Sequence, residues 1–348
     1  MAVDTTVQPP ATSPPTALAP ATAAQVKPAP PRPGAAAMLV SLLPAAAACT
    51  ALVAHWHIPS TQTSLPTDLY PKLLQGVIAI ALAIFAAQYL WPALRRWARP
   101  RAPIVTAALL TLMTWDLVTL KYALMPLPYF PGPDMVMQSL WDDWELLARC
   151  TFHSLILLAS GYALGAAMGI VSGVLIGWFA ACRYWGMPLL KLVGPIPATA
   201  FIPLAMMVFP SAFTASVALI AIAVWFPVTM LTISGIANVR VSLLDVARTL
   251  GAGPSFLVFR VAVPAALPSI FIGLFMGLGA SFLTLIVAET VGVKAGLGWY
   301  VGWAKVWADY AKVYAALIIM ALFFSCIMTL LFMLRDRVLV YQKGVIKW

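Results

Sequence analysis

The sequence predicts an all-α membrane protein with about eight transmembrane helices, and three observations predict it. Hydrophobic residues make up 62% of the 348 and charged residues only 9%, whereas a soluble domain carries about 45–50% and about 25%. There is too little polar surface to cover a globule in water. The apolar residues are gathered into segments close to the ~20 residues a helix needs to cross a ~30 Å hydrocarbon core. The Lys and Arg residues between them crowd onto alternate connections, the pattern of cytoplasmic loops. The net charge of +10 is therefore loop charge and not a nucleic-acid surface.

Residues 1–34 hold nine prolines among Ala, Thr and Val with almost no charge. Such a stretch cannot assemble a core and is expected as a disordered cytoplasmic tail. It lacks the basic start and apolar run of a cleaved signal peptide. Two helices, about 36–55 and 72–92, fill the region 35–100. Further spans are expected at 103–124, 151–179, 194–210, 213–237, 264–289 and 312–334. The segment 194–210, GPIPATAFIPLAMMVFP, is short and proline-rich, which a membrane helix tolerates where neighbours replace the lost hydrogen bonds. Between the third and fourth spans, MVMQSLWDDWELLARC has apolar residues at helical spacing and is expected to lie along the outer surface.

Charge orients these spans. With the amino terminus inside, 15 of the 21 Lys and Arg residues fall on inner segments. They are Lys27 and Arg32; Arg95, Arg96, Arg99 and Arg101; Arg183 and Lys191; Arg240, Arg248 and Arg260; and Arg335, Arg337, Lys343 and Lys347. Both termini are expected in the cytoplasm.

Catalytic and nucleotide-binding signatures are missing. No G-x-x-x-x-G-K-[ST] loop, GxSxG or HExxH occurs, so the chain is not expected to bind ATP by that loop or to be an enzyme itself. Cys49, Cys150, Cys182 and Cys326 are far apart and read as small apolar residues. His55 and His57 at a loop edge and His153 at the start of a span read as structural, and no metal site is expected. Asp116 stands within the third span, where an acid costs about 2.5–3.5 kcal/mol on insertion scales. It needs a partner, and Lys121 is five residues on, poorly placed for one. Glu289 is expected at the outer interface, where its charge is cheap. The central stretches of the spans from 151 to 334 hold no basic residue. Their hydroxyls, Thr199, Thr229, Thr232, Ser281 and Thr284, are with Glu289 the candidate pathway residues.

Glycine recurs every fourth residue at Gly161, Gly165, Gly169, Gly173 and Gly177. Each step of four advances a helix by about 400°, so the glycines share one broad face on which another backbone can approach closely. Tight helix packing is the expected role; a sliding face is the alternative.

DVARTLGAGPSFLVFRVAVP, residues 245–264, places Asp245, Arg248 and Arg260 between two apolar spans. Gly251 divides the segment into two short helices at an angle, and Pro264 suits the first turn of the seventh span. A plain connector needs no such bend, whereas a helix–turn–helix gripped by a soluble partner does.

The segment resembles the cytoplasmic motif of type I ABC importer permeases, E-A-A, three residues, G, nine residues, I-x-L-P. Asp245 stands for the glutamate and Val246 and Ala247 for the alanines. Gly251 is the glycine, Val261 and Val263 replace the isoleucine and leucine, and Pro264 is the proline. GPIPATAFIPLAMMVF, DVARTLGAG, VAVPAALPSIFIGL and VAETVGVKAGLGWYV are similar to the branch importing nitrate, taurine, alkanesulfonates or bicarbonate. The resemblance runs from about 131 to the carboxyl end, with the span 103–124 completing a six-helix permease core over 101–348, whose family-type domain is about 149–334. It implies a permease homodimer in the bacterial inner membrane, in contact with lipid and not with nucleic acid. It also implies an ATPase dimer on the cytoplasmic face, which carries the ATP and Mg, and a periplasmic or extracellular substrate-binding protein. No cofactor is expected on this chain. The competing class, an ion-coupled secondary transporter or channel, needs midplane charges, of which Asp116 is nearly the sole example.

Overall fold

The computed structural model describes residues 40–62, 68–88 and 90–340, Pro92 by its backbone alone. The expected tail 1–34 and the basic Lys343 and Lys347 lie outside the described residues. Those described form helices and connections with no strand, as lipid requires of a chain that must satisfy its own backbone. Among the described residues seven helices are long and apolar enough to cross a membrane, and a bent pair, if taken as one span, makes eight.

The N-terminal region packs α1 (Leu43–His57), α2 (Leu69–Ala87) and α4 (Ala102–Asp116) around Ala48, Ala51, Tyr70, Leu74 and Leu109. The short α3 (Pro92–Ala98) joins α2 to α4, and a π-helical turn, Leu117–Lys121, prolongs α4. The amphipathic stretch breaks at Asp143. It is not one surface helix. α5 (Pro133–Asp142) packs against α2 and the last span, while Trp144 already begins α6 (Trp144–Trp178). At 35 residues, α6 is about 52 Å long at ~1.5 Å per residue. It therefore starts well before the expected residue 151 and stands clear of the hydrocarbon.

α9 (Ala212–Ala237) is the centre of the core. Gly161, Gly165, Gly169, Gly173 and Gly177 of α6 lie against Ile220, Val224, Val228, Thr232 and Ile236 in that order. Both sequences rise together, so α6 and α9 run parallel. The chain between them must cross back, and it does so through a broken element: α7 (Ala180–Val193), a 3-10 turn at Ala198–Phe201 and α8 (Ile202–Val208), bent by 84°. The fifth span is thus not a continuous helix over 194–210. Pro195 and Pro197 have no N–H to continue the helical ladder, and Pro197 leaves the helical region at ψ 135°.

After α10 (Val241–Thr249) the chain turns and re-enters as one continuous helix. It starts at Pro254, not Pro264, passes through a π-helical turn at Leu257–Ala262 and continues as α11 (Val263–Val291), a total of 38 residues. Pro264 cannot donate to the carbonyl of Arg260, and the wider turn accommodates that loss. The expected second short helix is therefore the first turns of a span. α11 packs antiparallel on α9, with Gly235 beside Ser269 and Gly277 beside Val224. α12 (Leu297–Val306) and α13 (Tyr310–Val338) complete the fold, their contact built on Tyr300, Val301, Ala304, Val313 and Ala316.

Candidate coupling loop and translocation groove

α10 ends because Gly251 adopts φ +84°, a left-handed conformation that costs a side chain about 1–2 kcal/mol. Gly251 N–H donates to Arg248 O at 2.9 Å and Ala252 N–H to Ala247 O at 3.0 Å, the paired bonds of a Schellman cap. Asp245 and Arg248 form an exposed ion pair at 2.9 Å, worth little by itself. The next helix is anchored: Val258 and Ala262 pack with Val174, Ile236, Ala266 and Ile270 in the core. Its other face is open, with Phe256 and Phe259 exposed, and Val241, Val246 and Leu250 are exposed beside them on α10 and its cap, Leu250 to 82%. The loop thus presents an apolar surface on one side and inserts rigidly into α11 on the other. Val261 and Val263 are half-buried on the inserted helix.

A groove of about 410 Å³ opens between the broken α7–α8 element, α9 and α11. Thr199 and Thr284 line it, with Phe226, Pro227, Met276 and Leu283 supplying much of the apolar wall. No charged residue lines it. Thr229, Thr232 and Ser281 are not brought there. Each is fully buried and bonded to its own helix at Trp225 O, Val228 O and Leu278 O.

Glu289 is also elsewhere, and it is buried, not held at a wet interface. Its Oε1 accepts from Ser154 Oγ at 2.6 Å and its Oε2 from Gly298 N–H at 2.7 Å, while Ser154 Oγ accepts from Leu297 N–H. The carboxylate sits on the N-terminus of α12, where helix dipole and free N–H groups favour an anion. Gly296, at φ +125°, leaves room for it, since a Cβ there would strike the carboxyl group. Asp143 holds the same helix from another side, accepting from Tyr300 Oη at 2.6 Å, and ties in α13 through Lys312 Nζ at 3.0 Å. The acidic WDDWELL stretch flags Asp143; nothing local flags Ser154.

Asp116 finds its partner in the N-terminal pair of helices. Its Oδ2 meets His55 Nδ1 at 3.0 Å, while Lys121 donates to His55 O and Ser60 Oγ. Asp134 of α5 lies within coulombic reach of Asp116 and His55, and burial raises its pKa above the usual carboxylate range. No group of three or more His, Cys, Asp or Glu side chains among the described residues has metal-holding geometry.

Residues 161–340 match the family model described as binding-protein-dependent transport system inner membrane component. The chain is 29% identical over 216 residues to a probable ABC transporter permease of Haemophilus influenzae, covering 62% of this chain and 88% of that one. It is 31% identical over 163 residues to the putative aliphatic sulfonates transport permease of Bacillus subtilis, covering 47% and 59%. It is 27% identical over 199 residues to the taurine transport system permease of Escherichia coli, covering 54% and 70%.

Proposed function

Because the chain belongs to the binding-protein-dependent transport system inner membrane component family, the permeases of ABC importers, we propose that it forms the translocation path of an ATP-driven importer of a small anion. A separate ATPase docks on the 240–263 loop, a second copy of the chain completes the path, and both termini face the ATPase side. The carrying observation is the loop itself. Its exposed apolar face, capped at Gly251 and continuous with a 38-residue helix, is a surface that a soluble partner would cover and a lever that would move α11.

Sulfonates and taurine are the favoured cargo, because two relatives are named for their transport. Thr199 and Thr284 offer the groove neutral hydrogen bonds worth about 0.5–1.5 kcal/mol each, too few to hold an anion tightly. Selection therefore rests with the binding protein, which delivers its ligand to a permissive path.

Affinity purification of the tagged chain from its native membranes should bring down a P-loop ATPase. The binding protein that stimulates that ATPase should carry a small anion when its bound ligand is identified by mass spectrometry. Solute uptake by vesicles holding this chain and no ATPase would contradict the reading.

A further inference from the structure

A second groove, about 270 Å³, lies outside the family-matched region, between α1, α2 and the start of α4. Its walls are apolar, from Val77, Ile80, Ile84 and Val105, and its mouth is formed by Trp97 and Arg101. It is at the same end of the bundle as the coupling loop. His55 and Asp116 meet at the opposite end, near α5 and the start of α6, which places the first residues of α4 beside the loop's side.

Arg101 lines this mouth, and three more arginines, Arg95, Arg96 and Arg99, precede it within seven residues of sequence on and just after α3. The sequence holds no Asp or Glu between Asp4 and Asp68 or between Asp68 and Asp116. Among the described residues none of the four arginine side chains is paired with an acid. Arg101 is held in place, its guanidinium 4.6 Å over the Trp97 ring and donating to Trp97 O at 2.8 Å. An apolar slot at membrane depth thus ends in a concentrated, unneutralised positive charge next to an aromatic ring of the kind that settles at the headgroup level.

We propose that this groove is a binding site for an anionic phospholipid, one acyl chain lying along Val77, Ile80, Ile84 and Val105 and the phosphate meeting the arginines. Charge complementarity chooses the occupant. A zwitterionic lipid would fill the slot equally well but leave the arginine charge uncompensated, and each basic residue near an anionic headgroup is worth about 1 kcal/mol. Bound there, the lipid would fasten α1 and α2 to α4.

The test uses the full chain, purified in neutral detergent and stripped of lipid, with the thermal unfolding midpoint followed as phosphatidylglycerol, phosphatidylcholine or inorganic phosphate is added. Phosphatidylglycerol should raise the midpoint by a few degrees and the other two should not. Arg99→Gln and Arg101→Gln should each weaken the response about fivefold in lipid concentration. Val105→Trp, at a half-exposed position, fills the slot while keeping all four arginines and should abolish the response. Variants are compared only where their lipid-free midpoint matches the wild type. An equal response to phosphatidylcholine, a response to free phosphate, or a full response in Val105→Trp would each overturn the proposal.

Discussion

Asp134 shows how a single residue ties the extra helices to the rest. It sits in the first turn of α5, buried, with one carboxylate oxygen lacking a hydrogen-bond partner, as do Asp116 Oδ1 and Tyr70 Oη. Desolvation raises its pKa, with Asp116 adding to the rise while the Met135 N–H and His55 oppose it. A carboxyl whose folded pKa exceeds its unfolded value of about 3.9 stabilises the fold fully below that unfolded value. It loses this contribution as pH rises through the folded pKa. Asp134→Asn removes the titration, so its unfolding midpoint relative to wild type should climb as pH is raised from about 4, the unfolded value, toward neutrality. A constant difference across that range would mean that Asp134 is solvated as an ordinary surface acid. Little of this cluster is legible in the sequence. The need of Asp116 for a partner follows from its place in a span, but His55 lies 61 positions away, and no local pattern links them. The burial of Glu289 is hidden for the same reason: position within a span gives depth along the membrane, not the neighbours that decide burial.

At the scale of the helix, periodicity is informative. The five glycines of α6 predict a close approach, and a Cβ added at Gly161, Gly169 or Gly173 would come within 2.6, 2.7 or 2.5 Å of Ile220, Val228 or Thr232. The stripe is not uniform. At Gly165 the obstruction includes the backbone of Ala221, which cannot rotate aside, whereas at Gly177 the nearest atom is a side-chain carbon of Ile236 at 3.0 Å. Gly165→Ala should therefore destabilise the purified protein by about 1–3 kcal/mol, the usual range for overpacking, and Gly177→Ala by clearly less. Unfolding in denaturant under the same detergent checks the order, and equal or reversed effects would show that the α6–α9 contact is loose at Gly165. Proline is less readable. It marks the fifth span as irregular but does not say that the break is a bend of 84°, because the direction of a broken helix is set by what packs against it. Pro264 misleads outright, since a π-helical turn lets a helix run past a proline that a sequence reading takes as its start.

The whole molecule joins two kinds of information. Fold class, span number and the turn at Gly251, proposed here for coupling, follow from composition, from segment length and from the spacing of Asp245, Gly251 and Pro264. The groove does not, because it needs α7–α8, α9 and α11 assembled before Thr199 and Thr284 share a wall and Thr229, Thr232 and Ser281 are shut out. Assembly also joins the loop to the groove, since the 38-residue helix runs from the loop's apolar face past Thr284 in the groove to Glu289 toward its far end. The transport cycle proposed for this chain stands on that link. It is tested most directly by ATP hydrolysis, stimulated by loaded binding protein, in proteoliposomes holding this chain and its ATPase. A Cβ at Gly251 would meet nothing within 4 Å, so substitution there acts through the backbone, its conformation and its N–H bond to Arg248 O, and not through a side-chain clash. Asparagine tolerates the left-handed region, whereas proline, fixed near φ −65°, cannot enter it and costs ~3 kcal/mol or more where it breaks a cap or helix. Gly251→Asn should keep most of the stimulated rate, and Gly251→Pro, inserted to the same level, should lose at least about tenfold, the factor that ~1.4 kcal/mol sets. A wild-type rate in Gly251→Pro would contradict the assignment of this loop as the coupling element.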